Sequence, residues 1–355
     1  MSNEFYMNVS ELSKIDKSEI EDYEVWDEEK KKWCSYKESC YKTETIGFPD
    51  PYEAKGEIMS ISVKKFGTNE IMYSIGTKPL LEYDNPKGKY IQCKDEKEVI
   101  VQFLKLWKDI NPQIITGWNI DNFDIPYLVN RIKNVFGKKA LAHLSPFKDK
   151  VKNNDKLISE RIVNDKIQYD IFGITSFDYI ELYQKYNLSK QESYKLDYIG
   201  EVEIGQRKVN FDEYKKSLMN LYNGDITVDL KTPFNELDEI MKFARIREVV
   251  RRRLDQVGFS LDNGDKFLGD NIHRFELDSF DFVTIKNADN ETLKGLYNFC
   301  EERVRTLSYK KFVMYNEQDA NIVELLDDKM KFIKQAIRVA HMSRSRFRDI
   351  FGTVA

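Results

Sequence analysis

The stretch ITGWNIDNFDIPYLVNRIKN, residues 115–134, decides how the rest of the chain is read. Its opening, with Gln113 and Ile114 before it, is a short apolar run that suits a strand. From Ile125 onward the apolar residues fall at helical spacing. Pro126 lies in the first turn, where no N–H is needed, and Gly137 stands at the end. Asp124 is therefore predicted where a strand hands over to a helix. In α/β sheets ligand-binding groups collect at such strand ends.

The flanking sequence extends this pattern. GEIMSISVKKFG (56–67) and EIMYSIG (70–76) alternate apolar and polar residues and predict a strand pair around a turn at Gly67. DEKEVIVQFLKLWKDINP (95–112) places Ile100, Phe103, Leu104 and Trp107 on one helical face before Pro112. The strand–helix–strand order predicts a parallel pair in an α/β sheet. ERIVNDKIQYDIFGITSFDYIELYQKY (160–186) predicts a β-hairpin running into a helix, with Tyr179, Tyr183 and Tyr186 as packing residues. By contrast, the first 40 residues are polar, and DEEKKKWCSYKESC (27–40) suits a solvated turn. Two amphipathic stretches, 234–258 and 290–307, change the character of the chain between 224 and 308. The pattern from 309 to 342 predicts one long helix.

Composition narrows the function classes. With 355 residues, 41% hydrophobic and 33% charged, the chain has enough sequence for a sizeable core. It holds no apolar run of the roughly 18 residues that span a bilayer. Its start has no basic segment followed by an apolar one, so the expectation is a cytoplasmic protein with no membrane partner. Cys34, Cys40, Cys93 and Cys300 form no CxxC pair and are expected as reduced thiols. His143, His273 and His341 lack zinc-ligand spacing. The run RIREVVRRRLDQ suits a phosphate contact, but Glu248 and Asp255 within it suit a solvated face equally.

The candidate chemistry is that of carboxylates. Glu44, Asp124 and Asp319 are oxygen donors of the kind that hold Mg²⁺ or Mn²⁺, and two such ions can clamp a phosphodiester in line. Tyr315 precedes Asp319 by one helical turn and shares its face, where a hydroxyl can orient an attacking water.

Taken in order, GFPDP (47–51), the 115–134 stretch, FGITSFDYIELYQKY (172–186), SYKLDYIGEVE (193–203) and KKFVMYNEQDANIVELLDDKMK (310–331) resemble the 3′→5′ exonuclease domain of family-B DNA polymerases. The resemblance is nearest to the replicative polymerases of large tailed phages, and EFYMNVSEL (4–12) resembles the start of those chains. It covers roughly 41–223 and 309–355. It implies a ribonuclease-H-like α/β fold with an exonuclease hairpin near 160–175. Residues 41–223 and 309–340 would form that domain, after a short segment 1–40. Residues 224–308 would be a mainly helical insertion, and 341–355 the lead into a palm or a docking segment. The resemblance makes Glu44, Asp124 and Asp319 metal-binding acids in a two-metal site, Tyr315 the water-orienting tyrosine, and Asn119 and Phe123 neighbours of a single-stranded DNA 3′ end. Asp178 matches the family pattern too, with fixing of local backbone or helix capping as its expected role.

One position departs from the pattern. The family carries Asp-x-Glu in its first motif, whereas this chain has Lys42-Thr43-Glu44. Lys42 and Glu44 would face the same side of a strand. Two functions therefore follow from the resemblance: a proofreading 3′→5′ DNA exonuclease, or a catalytically degenerate DNA-binding or scaffolding subunit. In either case a separately encoded polymerase palm fragment is the expected partner.

Overall fold

The computed structural model describes residues 2–8, 24–27, 32–35, 50–66, 70–80, 83–151, 156–163, 166–208, 218–258, 282–347 and 349–351, the first three as backbone. Two compact units are formed. One comprises 1–78, 84–210 and 313–355, and the other 79–83 and 211–312.

The first unit is built on a six-stranded sheet. Its strands are β1 (Ser2–Asn8), β4 (Ser60–Lys65), β5 (Ile71–Gly76), β6 (Gly88–Gln92), β7 (Ile114–Gly117) and β10 (Thr175–Asp178), in the order β10-β7-β1-β4-β5-β6. β10, β7 and β1 run parallel, β4 is antiparallel to both β1 and β5, and β6 runs parallel to β5. Two hairpins stand apart from it, β2 (Glu24–Asp27) with β3 (Lys32–Ser35) and β8 (Ile158–Val163) with β9 (Lys166–Ile171).

Alternation along the strands gives the sheet two different faces. Ile61, Val63, Ile75 and Ile115 face one side. They pack with Val99, Ile100, Phe103 and Trp107 of α1 (Glu96–Ile110) and with Tyr127, Leu128 and Ile132 of α2 (Asp124–Phe136). α1 begins with Asp95 accepting the Glu98 N–H at 2.9 Å, while Glu98 accepts the Lys94 N–H at 2.9 Å. It ends at Asn111 in the left-handed region, φ 50°.

On β4 and β5, by contrast, Ser60, Ser62 and Ser74 are buried, and the Ser62 and Ser74 hydroxyls meet across the strands at 3.1 Å. Side chains this small let a helix approach with its polar groups satisfied. That helix is α8 (Asn290–Met330): Glu317 accepts from the Ser74 hydroxyl at 2.5 Å and from Asn85 at 3.1 Å. Glu324, two helical turns further along, pairs with Lys64. Beyond these polar contacts, Phe177 with α3 (Tyr179–Tyr186) and α4 (Leu196–Ile204) packs on Ile322, Val323 and Leu326 and on Phe332, Ile333 and Ala336 of α9 (Phe332–Ser343). Helices thus cover both faces of a mixed sheet.

The second unit has a core of its own. Ile240, Phe243, Ala244, Ile246, Val250 and Leu254 of α6 (Glu239–Gln256) pack with Leu293, Cys300 and Val304 from the first part of α8. Before α6 comes the short α5 (Leu218–Asn223), whose Tyr222 ring meets Tyr309 and Phe312, each at 5.4 Å. α7 (Val283–Asn287) precedes α8. Among the described residues no helix is long and apolar enough to cross a membrane.

Several expectations are corrected. β5 and β7 are parallel but not paired, because β1 and β4 lie between them in the sheet. The central strand β1 comes from the polar first 40 residues, and part of the expected turn at 27–40 is the β2–β3 pair. The β8–β9 hairpin does not run straight into a helix: β10 follows it, joins the main sheet and then leads into α3. The stretches 290–307 and 309–330 form one helix, and the long pattern breaks later, at Lys331, φ 56°. No Gly or Pro marks that break. Asp327 makes it, accepting the Ile333 N–H at 3.0 Å and the Tyr179 hydroxyl at 3.2 Å.

Candidate active site

β7 ends at Gly117, and the chain turns through Asn119 before α2 begins at Asp124. Asn119 is in the left-handed region, φ 64°, a conformation that Asn tolerates better than most residues. Its carbonyl accepts the N–H groups of Asn122 at 3.2 Å and Phe123 at 3.1 Å, which closes the turn. Asn119 and Phe123 are half-buried, whereas Asp124 is 3% exposed. As the first residue of α2, Asp124 has its carboxylate favoured by the positive end of the helix.

Asp178 ends β10, opposite Gly117 of β7. It caps α3 by accepting the Ile180 N–H at 3.2 Å, as anticipated for a cap. It also accepts the N–H groups of Asn119 at 2.8 Å and Asp121 at 3.2 Å. Burial, reinforced by Asp121 and Glu181, pushes its carboxyl well above the ordinary range against the pull of these N–H bonds. Burial and Asp121 also raise Glu181, with Arg161 opposing. Asp121 accepts the Ser176 hydroxyl and lies 3.8 Å from Arg161, which pairs with Asp170 at 3.1 Å.

Tyr315 and Asp319 lie one turn apart on α8 and converge on Lys208. The Lys208 ammonium is 2.6 Å from Asp319 Oδ2 and 3.2 Å from the Tyr315 hydroxyl, and 5.1 Å from the centre of the tyrosine ring. Asp319 is fully buried. Burial works against the lysine charge, but Asp319 and then Tyr315 offset it, so Lys208 stays above its ordinary pKa. The Lys208 backbone is itself held by Asp197, which accepts its N–H at 2.8 Å.

The structure thus brings Asn119, Phe123 and Asp124 onto one turn, and Tyr315 and Asp319 onto one lysine. Lys42 and Glu44 lie outside the described residues. Among the described residues no three metal-ligating side chains gather into one group. The donor chemistry nevertheless fits a hard cation, since Asp319 is a buried carboxylate already facing a positive charge. Sequence reasoning did not find Lys208, because GQRKVN has the look of an ordinary polar loop and its partner is 111 residues away. The second acceptor role of Asp178 was equally hidden.

The family described as DNA polymerase family B, exonuclease domain, matches residues 2–199, more than half of the chain. The chain belongs to this exonuclease family. Its fold is accordingly ribonuclease-H-like. The DNA-directed DNA polymerase of Escherichia phage RB69 is 41% identical over 124 residues, 35% of this chain and 13% of that protein. That of Enterobacteria phage T4 is 32% identical over 123 residues, with the same coverage of 35% and 13%. The DNA polymerase delta catalytic subunit of Caenorhabditis elegans is 26% identical over 243 residues, 62% of this chain and 22% of that protein. The chain spans less than a quarter of the length of each.

The arginine row of α6 is largely neutralised in this family-B exonuclease chain. Arg251 pairs with Glu248 and Asp255, Arg252 with Glu248, and Arg247 with Glu301. Glu248 and Asp255, the residues that suited a solvated face, are the partners of Arg251 and Arg252.

Proposed function

We propose that this chain is the proofreading module of a phage-type DNA polymerase, engaging a single-stranded DNA 3′ end and cleaving its last phosphodiester in the 3′→5′ sense. The observation that carries the reading is the buried Asp319 with Tyr315 and Lys208 around it, in a chain of this family whose Asp124 opens α2. Glu44, Asp124 and Asp319 would hold Mg²⁺ or Mn²⁺. Bound there, the ions would supply hydroxide and stabilise the departing 3′ oxygen. The Tyr315 hydroxyl orients the attacking water, and Asn119 and Phe123 hold the terminal nucleotide. A polymerase palm, encoded separately, is the proposed partner in replication. What supports a polymerase partner is that the named relatives are DNA-directed DNA polymerases.

Lys42 supports a second, weaker form of the same reading, a DNA-binding module with little or no cleavage. It replaces an attractive charge by a repulsive one at a first-motif position. At an effective dielectric of about 20, two unit charges about 4 Å apart interact by roughly 4 kcal/mol. Relaxation of the long lysine stem leaves about 3 kcal/mol, a loss of about a hundredfold in rate or occupancy. The test is a Mg²⁺-dependent nuclease assay on single-stranded DNA. Lys42→Asp should raise cleavage strongly, and Asp319→Ala in that background should remove it. Robust cleavage by the parent chain that ignores Lys42→Asp would overturn the attenuated form. No 3′→5′ cleavage by any variant, Lys42→Asp included, would overturn the nuclease reading.

A further inference from the structure

The turn that presents Asn119 and Phe123 is closed by its own hydrogen bonds but also held from outside its sequence. Two residues of the hairpin and sheet hold it. Asp178, at the end of β10, accepts the N–H groups of Asn119 and Asp121, and so spans both sides of the left-handed residue. On β9, Gln168 is 2% exposed and donates its side-chain amide to Asn122 Oδ1 at 3.0 Å. The Asn122 amide donates in turn to Asn119 Oδ1 at 3.0 Å. Backbone and side chain of Asn119 are therefore each fixed by a separate chain of hydrogen bonds that ends on a buried residue. A carboxylate suits the Asp178 position because each oxygen can accept, and three N–H groups converge on it.

From this geometry we infer that Asp178 is a positioning residue for DNA 3′-end recognition, with Gln168 in support: it sets the angle at which Asn119 and Phe123 meet the terminal nucleotide. The inference rests on the function proposed above and extends it to residues that touch neither DNA nor cation. Because it concerns binding of the DNA end, it holds whether or not Lys42 has weakened cleavage. Asp178→Asn is nearly isosteric, yet it replaces one acceptor by an NH₂ group and strands one of the three N–H donors. The turn then relaxes while the core of the unit stays packed.

The experiment is a double-mutant cycle read by fluorescence anisotropy, using a 5′-labelled oligo-dT in EDTA with either a free 3′ hydroxyl or a 3′ phosphate. The parent should prefer the free end. Asp178→Asn should weaken binding of the free-ended oligonucleotide by about tenfold, the size expected within one hydrogen-bond network. It should also erase the preference over the blocked end. Asn119→Ala should do the same, and the double variant should be no worse than either. Parent-like binding by Asp178→Asn, or losses that multiply in the double variant, would overturn the proposal. If Asp178→Asn does not fold, Gln168→Ala goes through the same cycle under the same criteria. If the parent shows no end preference, the proposed function fails, and hydrogen exchange decides the positioning claim by itself. Faster exchange confined to residues 117–123 in Asp178→Asn keeps Asp178 as the residue that sets the turn, and unchanged or uniformly faster exchange removes it.

Discussion

Lys208 and Asp319 are 111 residues apart in sequence and 2.6 Å apart in the fold, one an ammonium at 22% exposure and the other a fully buried carboxylate. A pair of this kind is asymmetric in energy. Forming it barely offsets the desolvation of both charges, but removing one partner leaves the other buried and uncompensated.

Lys208→Met should therefore destabilise the protein by about 3 kcal/mol, the usual cost of breaking a buried pair. Added Mg²⁺ should raise the melting temperature of the variant more than that of the parent, since a cation can then take the place of the ammonium. Thermal melts with and without Mg²⁺ check both statements. Equal Mg²⁺ shifts in the two proteins would argue against Asp319 as a cation ligand.

The same asymmetry governs the contact between α8 and the sheet. Lys64 and Glu324 are 16% and 8% exposed and pair across it. Glu324→Leu should cost about 3 kcal/mol, while adding Lys64→Met to it should recover most of that loss, because apolar replacement of both partners removes the desolvation as well. Urea unfolding of the two singles and the double gives the coupling directly.

A third expectation concerns the turn after GFPDP. Arg131 on α2 forms a fork with Glu96 at 2.6 and 2.7 Å and also donates to the carbonyls of Ala54 and Lys55. Asn134 reaches the Glu53 carbonyl at 3.0 Å, and Ala54 sits at φ 44° within this grip. Arg131→Lys keeps the charge but loses the planar fork, so it is not conservative here. It should speed proteolytic cutting between 50 and 56 several-fold while leaving cutting in β8–β9 unchanged. Equal acceleration at both places would mean a global loss instead.

In the helical unit, Glu248 gives a pH-dependent signature. Hydrogen bonds from Arg251, joined by those from Arg252, pull its pKa from 4.5 down to about 2. A depressed folded pKa means that the stabilisation is complete above the unfolded value near 4.5 and disappears as the pH falls towards 2. Glu248→Gln should therefore flatten the acid side of the stability curve over that window and change little below it. Denaturation midpoints taken across the window measure the slope.

Much of the first unit was legible in the residues themselves. Period-two alternation of residue types in 60–65, helical spacing in 96–110, and the Pro126 and Gly137 boundaries all report local physics, because side-chain direction repeats with the element. The family was equally legible, since its motifs keep their order along the chain. Tertiary structure alone decided which strand stands at the centre. Ser2–Asn8 lies in a polar part of the chain, and its place depends on β4 and β7 offering unpaired backbone on both sides. It also decided the break at Lys331, where the force is one distant pair of bonds from Asp327 and no helix-breaking residue is present. The roles of Lys208 and Asp178 belong to the same class. Each depends on a partner more than fifty residues away, and a hydrogen bond acts over three ångströms of space whatever the separation in sequence.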